Sequence, residues 1–236
     1  MVLCDLPYGT TACKWDTPLP LDKLWTEYER VIKDNGAIVL TASQPFTSAL
    51  VMSNPKLFRY DMSWNKRAVT GFLNANRMPL RAHEDILLFY KKLPVYNPQK
   101  TPGKPYIKNL RGQAEHYGKF DPHTPTNLSG DRYPTSVLTI HNGNRSEKIH
   151  PTQKPVALFE YLIKTYTNLG DLVLDNCAGS GTTGVACENT GRNSILMEKE
   201  PEYCQIIRER LQEHTQQTLQ VEARKQQTLL NYIPAK

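Results

Sequence analysis

Short apolar runs alternate with segments of helical period along the first part of the chain. Residues 1–4 and 37–42 are almost wholly apolar, which is typical of strands covered on both faces. Between them, apolar residues at 21, 24, 25, 28, 31 and 32 follow the helical period, and a second helix is predicted over about 45–53. The order strand, helix, strand, helix predicts a parallel α/β sheet.

Two further blocks continue the pattern. Residues 58–66 alternate and residues 86–90 form another apolar run, so these two successive strands predict an antiparallel hairpin. A helix over 158–166, a strand over 171–175, a helix to about 189 and a strand over 194–198 then precede a helical stretch from residue 201. The predicted fold class is α/β: a doubly wound, mostly parallel sheet with an antiparallel hairpin at one edge.

Residues 94–144 break this pattern. Prolines recur at 94, 98, 102, 105, 122, 125 and 134 among basic residues and tyrosines, and the longest apolar run is 137–140. Such a segment cannot form its own core, but a loop this long inside a compact domain is more often functional than idle. Two interpretations stay open: a nucleic-acid surface in which Lys and Arg meet phosphates and Tyr stacks on bases, or a long linker.

Composition narrows the class of protein. The chain has 236 residues, enough for one domain with an inserted subdomain, and its net charge of +6 favours a polyanionic partner. No apolar run approaches the length of a membrane span and the N-terminus is not a signal peptide, so no membrane association is expected. Five scattered cysteines without a CxxC pair argue against a disulfide framework and a metal site, and they favour a reducing, intracellular setting.

The tetrapeptide Asp5-Leu6-Pro7-Tyr8 follows the first predicted strand. In open α/β sheets, ligands bind at the carboxyl ends of the strands. A carboxylate there could accept hydrogen bonds from an amino group while an aromatic ring stacks on a flat ligand. The alternative is a strand that leaves the sheet through a proline turn, with Asp5 exposed and Tyr8 packed on the surface.

A small-residue turn, 176–183, connects the strand over 171–175 to a helix. Glu198 ends the next strand, 23 positions after Asp175, where a carboxylate commonly holds ribose hydroxyls. These features predict a nucleotide-binding half-unit. A P-loop is excluded because no lysine follows the glycines, whereas the spacing from Gly179 to Gly184 fits GxGxxG and leaves a dinucleotide cofactor open.

Taken together, these motifs resemble the S-adenosylmethionine-dependent DNA amino-methyltransferases of phages and bacteria, in the permuted class whose catalytic motif precedes the cofactor motif. Residues 5–8 resemble the Asp-Pro-Pro-Tyr motif, with Leu6 in place of the first proline. Residues 175–183 resemble the Asp-Pro-Phe-Ala-Gly-Ser-Gly-Thr-Thr loop, with Asn176 for Pro and Cys177 for Phe. Residues 150–155 resemble the His-Pro-x-Gln-Lys-Pro segment, and Arg77 with 83–84 resembles the strand entry of this class.

The resemblance implies a cofactor, a partner and a set of site residues. The cofactor is S-adenosylmethionine, the partner is double-stranded DNA from which a base is flipped, and neither a metal nor a covalent enzyme intermediate is needed. The implied catalytic residues are Asp5, Leu6, Pro7 and Tyr8. The implied cofactor-binding residues are Thr152, Gln153, Lys154, Pro155, Asp175, Asn176, Cys177, Ala178, Gly179, Ser180, Gly181, Thr182 and Glu198. The candidate DNA-binding residues are Arg77, His83, Lys104, Tyr106, Lys108 and Arg111.

The resemblance also implies an organisation: a catalytic half over 1–93, a target-recognition insert over 94–149, and a cofactor-binding half with a C-terminal helix over 150–236. The Asp form of the catalytic motif favours adenine N6 as the methylated position. Cytosine N4 and a protein Asn or Gln side chain are the alternatives. The expected location is the cytoplasm of a bacterium or of a phage-infected host, and the distal C-terminal helix is a candidate for pairing into a homodimer.

An inactive cofactor-binding or DNA-binding relic stays open as a different class of function. Members of this family carry a strand and a helix before the catalytic strand, whereas the present sequence begins almost on that strand. We therefore expect the sheet to lack one edge strand and the cofactor adenine to lose part of its pocket.

Overall fold

A computed structural model describes residues 1–11, 13, 16–107, 126–143 and 153–231, with side chains described as far as residue 221. It divides the chain into two compact units: a larger one, Met1–Asn97 with Ser136–Lys236, and a smaller one, Pro98–Thr135. The smaller unit lies inside the predicted insert 94–149. The target-recognition role of that insert stays a prediction.

The described strands and helices alternate along most of the larger unit. The strands are β1 (Val2–Asp5), β2 (Ile38–Ala42), β3 (Phe58–Thr70), β4 (Arg81–Phe89), β5 (Tyr106–Ile107), β6 (Thr126–Asn127), β7 (Val137–Thr139), β8 (Leu172–Asp175) and β9 (Asn193–Leu196). The helices are α1 (Leu21–Val31), α2 (Phe46–Ser53), α3 (Val156–Tyr166), α4 (Thr182–Thr190) and α5 (Pro201–Asn231). Of these strands, β5 and β6 belong to the smaller unit.

Seven strands of the larger unit form one sheet in the order β7-β3-β4-β2-β1-β8-β9. Strand β4 pairs antiparallel with both β2 and β3, whereas β1–β2, β1–β8, β8–β9 and β3–β7 are parallel pairs. Among the strands described in this sheet, β4 alone therefore runs in reverse. The mostly parallel α/β fold is confirmed, and β1 lies near its centre.

Two apolar clusters cover the two faces of the sheet. Along β1, Leu3 joins the cluster that contains α3, while Val2 and Cys4 join the cluster that contains α1 and α2. Successive strand residues point to opposite faces, so a strand covered on both sides must be apolar at every position. This two-sided burial explains the continuous apolar runs in the sequence and makes the fold doubly wound.

The β3–β4 hairpin differs in its surroundings from the predicted one. Strand β7 pairs parallel with β3 from Ser63 to Asn65, so the hairpin does not form the outer edge. The side chain of Leu138 is buried, and Trp64 donates its indole hydrogen to the carbonyl of Ile140 at 2.8 Å. The apolar run 137–140 thus belongs to the main sheet, although the predicted insert extends to residue 149.

The smaller unit is held by backbone pairing and by cation–aromatic contacts. Strands β5 and β6 pair antiparallel, and Thr101 forms a bridge with Arg132. The Arg132 guanidinium lies 4.9 Å from the centroid of the Tyr106 ring, and the Lys100 ammonium lies 4.7 Å from that of Tyr133. The interleaved basic and aromatic residues noted in the sequence therefore contact each other within this unit.

The first part of helix α5, as far as Leu211, packs on helix α4. A Cβ atom on Gly184 of α4 would lie 3.1 Å from the Leu211 side chain, so glycine permits this close approach. Pairing of the distal part with a second subunit concerns side chains outside the described ones and stays a prediction. In the described part of the chain, no helix is long and apolar enough to cross a membrane.

The core predicts the effect of one truncation in α3. Leu162 is fully buried, whereas Leu169, in the loop after the helix, is 78% exposed. We expect Leu162→Ala to lower the free energy of unfolding by about 2–5 kcal/mol, because it leaves a cavity, and Leu169→Ala to change it by less than about 0.5 kcal/mol. Urea unfolding of both variants measures the difference, and equal effects would contradict this packing.

Candidate active site

The carboxylate of Asp5 lies at the carboxyl end of β1 and has three hydrogen-bond donors. The Thr41 hydroxyl donates to Oδ1 at 2.5 Å and the Tyr8 hydroxyl donates to the same oxygen at 2.8 Å. The Lys154 ammonium donates to Oδ2 at 2.6 Å. Thr41 is in place because β1 and β2 pair in register, with Asp5 opposite Thr41. Asp5 is therefore part of a built polar site and not an exposed strand end.

Lys154 lies between two carboxylates. Its ammonium is 2.6 Å from Asp5 and 3.3 Å from Glu84, and the Lys66 ammonium is 3.2 Å from the other oxygen of Glu84. Burial lowers the pKa of Lys154, but Asp5 and Glu84 more than offset it, so the net pKa is raised. Burial likewise raises the pKa of Glu84, and the two lysines outweigh it, so that pKa is lowered. Both groups are charged at neutral pH.

The Tyr8 ring packs inside the site. It stacks on Phe46 of α2 with the ring centroids 5.4 Å apart, and the Lys154 ammonium lies 5.3 Å from its centroid. Burial, followed by the nearby charges of Asp5 and Glu84, raises the pKa of the Tyr8 hydroxyl, so it stays a donor. Leu6 is buried in the apolar cluster that also contains residues of α1 and α2, and Pro7 is half-buried.

Asp16 shapes the loop that follows the tetrapeptide Asp5–Tyr8, and it was not among the predicted site residues. Its carboxylate accepts the backbone N–H groups of Gly9, Thr10 and Thr11 at 2.7–2.9 Å. Burial raises the pKa of Asp16, but these hydrogen bonds outweigh it and the net pKa is lowered. An aspartate shortly after a Gly-Thr-Thr stretch is a signal for this kind of backbone capping.

The predicted cofactor loop joins β8 to α4 and is organised by two acids. Asp175, which is buried, accepts the backbone N–H of Cys177 at 3.0 Å and the Thr183 hydroxyl. Glu198 accepts the backbone N–H of Gly179 at 2.8 Å. Gly181 adopts φ +81° at the start of α4, where a side chain would be strained. Both acids therefore hold the loop in shape.

The segment before α3 connects this loop to Asp5. Gln153 accepts a hydrogen bond from the Ser180 hydroxyl at 3.1 Å, and the carbonyl of Lys154 accepts one from the Thr182 hydroxyl at 3.3 Å. Pro155 then occupies the N-cap position of α3. On the other side of the loop, the Tyr28 hydroxyl donates to Asn176 at 2.6 Å. Thr152 of the predicted cofactor set lies outside the described residues.

The candidate DNA-binding residues fall into two groups. Arg77 and His83 are exposed on the connection between β3 and β4 and on the start of β4. The start of β4 lies beside the end of β2, because the two strands are antiparallel and Asp85 pairs with Ala42. Lys104 and Tyr106 belong to the smaller unit, and Lys108 and Arg111 lie outside the described residues.

Polar residues that complete the site were missed by sequence reasoning. Thr41, Lys66 and Glu84 come from three neighbouring strands, and only the register and strand order bring them to Asp5. No group of three or more His, Cys, Asp or Glu residues in the described part of the chain could hold a metal ion.

Because Asp175 is buried, we expect its carboxyl group to make the free energy of unfolding depend on pH. Burial raises its pKa to about 6 in spite of its hydrogen bonds, whereas an unfolded chain has about 3.9. The ionised form therefore destabilises the folded state above about pH 6, and this cost disappears as pH falls towards about 4. We expect Asp175→Asn to raise the free energy of unfolding at pH 7.5 by up to roughly 3 kcal/mol, with no gain near pH 4.

Denaturant unfolding at both pH values tests this, with Asp61→Asn on the exposed part of β3 as the control. A gain that is equal at the two pH values would show that the carboxylate is not strained by burial.

Sequence comparison relates the chain to DNA methylases. Residues 1–209 match the N6/N4 methyltransferase family, described as DNA methylase. The type II methyltransferase M.HpaI of Haemophilus parainfluenzae is 31% identical over 214 residues, which cover 86% of this chain. The match spans 63% of M.HpaI, so the present chain covers less than two thirds of that relative.

Solved structures show the same architecture. The M1.HpyAVI complex with S-adenosylmethionine has 27% sequence identity and a TM-score of 0.60, covering 89% of this chain and 88% of that one. PvuII DNA methyltransferase, which is cytosine-N4-specific, has 18% identity and a TM-score of 0.60 over 86% of this chain and 76% of its own, which shows the fold alone. With the family match over nearly nine tenths of its length, the chain belongs to the N6/N4 DNA methylase family.

Proposed function

We propose that this chain transfers a methyl group from S-adenosylmethionine to the N6 amino group of adenine in double-stranded DNA. The observation that carries the proposal is the position of the Asp5 carboxylate. It lies at the carboxyl end of β1, and Lys154 joins it to the loop between β8 and α4. A group that accepts amino hydrogens is thus linked within one unit to a loop suited to a nucleoside cofactor.

The residues of the loop fit such a cofactor. Gly179 and Gly181 have positive φ, so the backbone turns sharply at the N-terminus of α4 without side chains in the way. Gly179, Ser180 and Gln153 border this turn, and Glu198 stands at its far side, where it can exchange its backbone contact for ribose hydroxyls. S-adenosylmethionine supplies an electrophilic methyl group there.

Asp5 activates the amino group that is methylated. An exocyclic amino group of a base is a weak nucleophile because its lone pair is delocalised into the ring. A carboxylate that accepts its hydrogens, together with the backbone carbonyl of Leu6, raises the electron density on nitrogen. The ionised state matters, because charge-assisted hydrogen bonds are shorter and stronger than neutral ones. Alignment of amino nitrogen and methyl group supplies the rest of the rate enhancement.

Entry of a base requires a change of donors on Asp5. In the structure, Oδ1 already accepts from Tyr8 and Thr41. The amino hydrogens take the place of the Tyr8 hydroxyl, since Tyr8 lies on the turn after the strand, and the freed ring stacks on the base. The base itself reaches the site by flipping out of the duplex, because its amino group is inaccessible within the stack.

The β3–β4 connection is the part of the larger unit that favours contact with DNA. Arg77 and Arg81 are exposed there, together with Phe72 and Leu73, and Leu73 is fully exposed. Arginines meet phosphates, and apolar side chains at such positions can wedge between base pairs. These residues lie at the same end of the sheet as Asp5, where β1 and β2 end and β4 begins.

Product analysis tests the reaction and the base. We expect transfer of labelled methyl from S-adenosylmethionine to unmethylated duplex DNA, with N6-methyladenine as the labelled nucleoside after digestion. We expect Asp5→Asn to lower the rate by about 100-fold or more, because removing one electrostatic partner of a reacting group has this scale, and Asp61→Asn to leave it unchanged. N4-methylcytosine as the product would overturn the adenine assignment, and absence of any label would support an inactive relic.

The arginines on the hairpin connection give a second test. We expect Arg77→Gln with Arg81→Gln to weaken binding to duplex DNA and to reduce the slope of log K against log salt by about 0.9 for each phosphate that is no longer neutralised. Lys33→Gln with Lys56→Gln removes the same charge at exposed positions near the opposite ends of the strands. Fluorescence anisotropy at several salt concentrations compares the pairs, and an equal decrease in affinity for both would indicate a general charge effect.

A further inference from the structure

Two lysines and two carboxylates alternate in a row beneath the candidate site. The order is Lys66, Glu84, Lys154, Asp5, with successive nitrogen–oxygen distances of 3.2, 3.3 and 2.6 Å. The side chains of Lys66 and Lys154 are both 6% exposed. The two positive and two negative charges cancel, and the four groups are largely shielded from water. They lie where β1 and β3 end and β4 begins.

Lys154 has a special position in this row. Its ammonium contacts both acids, whereas the ammonium of Lys66 pairs with Glu84. Its backbone carbonyl accepts the Thr182 hydroxyl at the start of α4, and the preceding residue, Gln153, contacts Ser180 of the cofactor loop. One residue therefore touches the cofactor loop with its backbone and the catalytic carboxylate with its side chain.

Stability alone gives a weak reason for this arrangement. Removing charges from water costs several kcal/mol per ion, and buried ion pairs can often be replaced by apolar residues without loss of stability. The pair Asp5–Lys154 lies instead where an ionised acceptor is needed. A protonated Asp5 carries a hydrogen on one oxygen and no longer has the negative charge that draws the amino hydrogens.

On the basis of the proposed function, we propose that Lys154 is a positioning residue that fixes the Asp5 carboxylate through Oδ2, so that Oδ1 is the oxygen presented to the target amino group. Thr182 and Glu84 hold Lys154 in place from the cofactor loop and from β4. The sequence resemblance grouped Lys154 with the cofactor ligands, whereas this role acts on the methyl acceptor.

Charged and polar groups surround Asp5 from several elements. Lys154 is the cation in direct contact, and Thr41 and Tyr8 are neutral donors. Glu84 and Asp175 are nearby acids, since Lys154 bridges to the first and the charge of Asp5 raises the pKa of the second. Among these groups, Lys154 is the cation that holds the Asp5 carboxylate.

The test is methyl transfer by Lys154→Met. We expect kcat to fall by about 10-fold or more, because a carboxylate that is no longer held in place is misaligned with the amino group. The Kd for S-adenosylmethionine should change less than about 3-fold, because the loop contact of residue 154 is made by its backbone. Lys154→Arg should restore most of kcat, since it restores the charge.

Controls separate this role from misfolding and from charge change elsewhere. Lys199→Met removes an exposed lysine and should leave kcat unchanged. If Lys154→Met does not fold, the double variant Lys154→Met with Glu84→Gln removes one cation and one anion together, and it should fold with the same fall in kcat. Near-UV circular dichroism checks the fold of each variant.

Two results would overturn the inference while leaving the methyltransferase reaction intact. One is an unchanged kcat in a folded Lys154→Met variant. The other is a loss of activity that follows a loss of S-adenosylmethionine affinity, which would make Lys154 a cofactor residue. A wild-type chain that binds the cofactor but methylates no DNA would overturn the proposed function and this inference together.

Discussion

The ion pair between Asp5 and Lys154 connects parts of the chain that are 149 positions apart. Asp5 ends β1, and Lys154 precedes α3, the helix before the strand and loop predicted to bind the cofactor. At 2.6 Å and largely shielded from water, this contact holds one oxygen of the Asp5 carboxylate. The two halves that the sequence presents as separate motifs become one site through it.

A second constraint is the use of acids as backbone acceptors. Asp16 accepts hydrogen bonds from the three amides that follow Tyr8, Asp175 accepts one from Cys177, and Glu198 accepts one from Gly179. Each of these loops carries glycine and turns too sharply for regular backbone pairing, so side-chain oxygens satisfy its N–H groups. These three acids thus organise the loops that carry them or that they face.

Much of the fold was predictable because a strand that is buried on both faces has a continuous apolar run, which is easily recognised in the sequence. Strands β1 and β2 are apolar at nearly every position, and α1 has a regular helical period, so their type and order followed directly. Strand β7 was less visible, since it has three residues and lies in a proline-rich segment. Its pairing with β3 depends on a contact between distant residues that no local pattern records.

The same limit applies to the site. The tetrapeptide at Asp5 and the loop from Asp175 were recognisable because their residues are contiguous. Glu84 and Lys66 were not, because they join Asp5 only through strand order and register. Lys154 was noticed as part of a motif, but the direction of its side chain is a tertiary property. The roles assigned to individual residues for cofactor and DNA stay predictions.

A crystal structure of the chain with duplex DNA and a non-transferable cofactor analogue tests the central claim most directly. The account predicts a flipped adenine whose amino nitrogen lies within hydrogen-bonding distance, about 3 Å, of Asp5 Oδ1 while Oδ2 keeps its contact with Lys154. A bound base whose amino group lies away from Asp5, or an Asp5 whose three present partners are all unchanged in that complex, would contradict it.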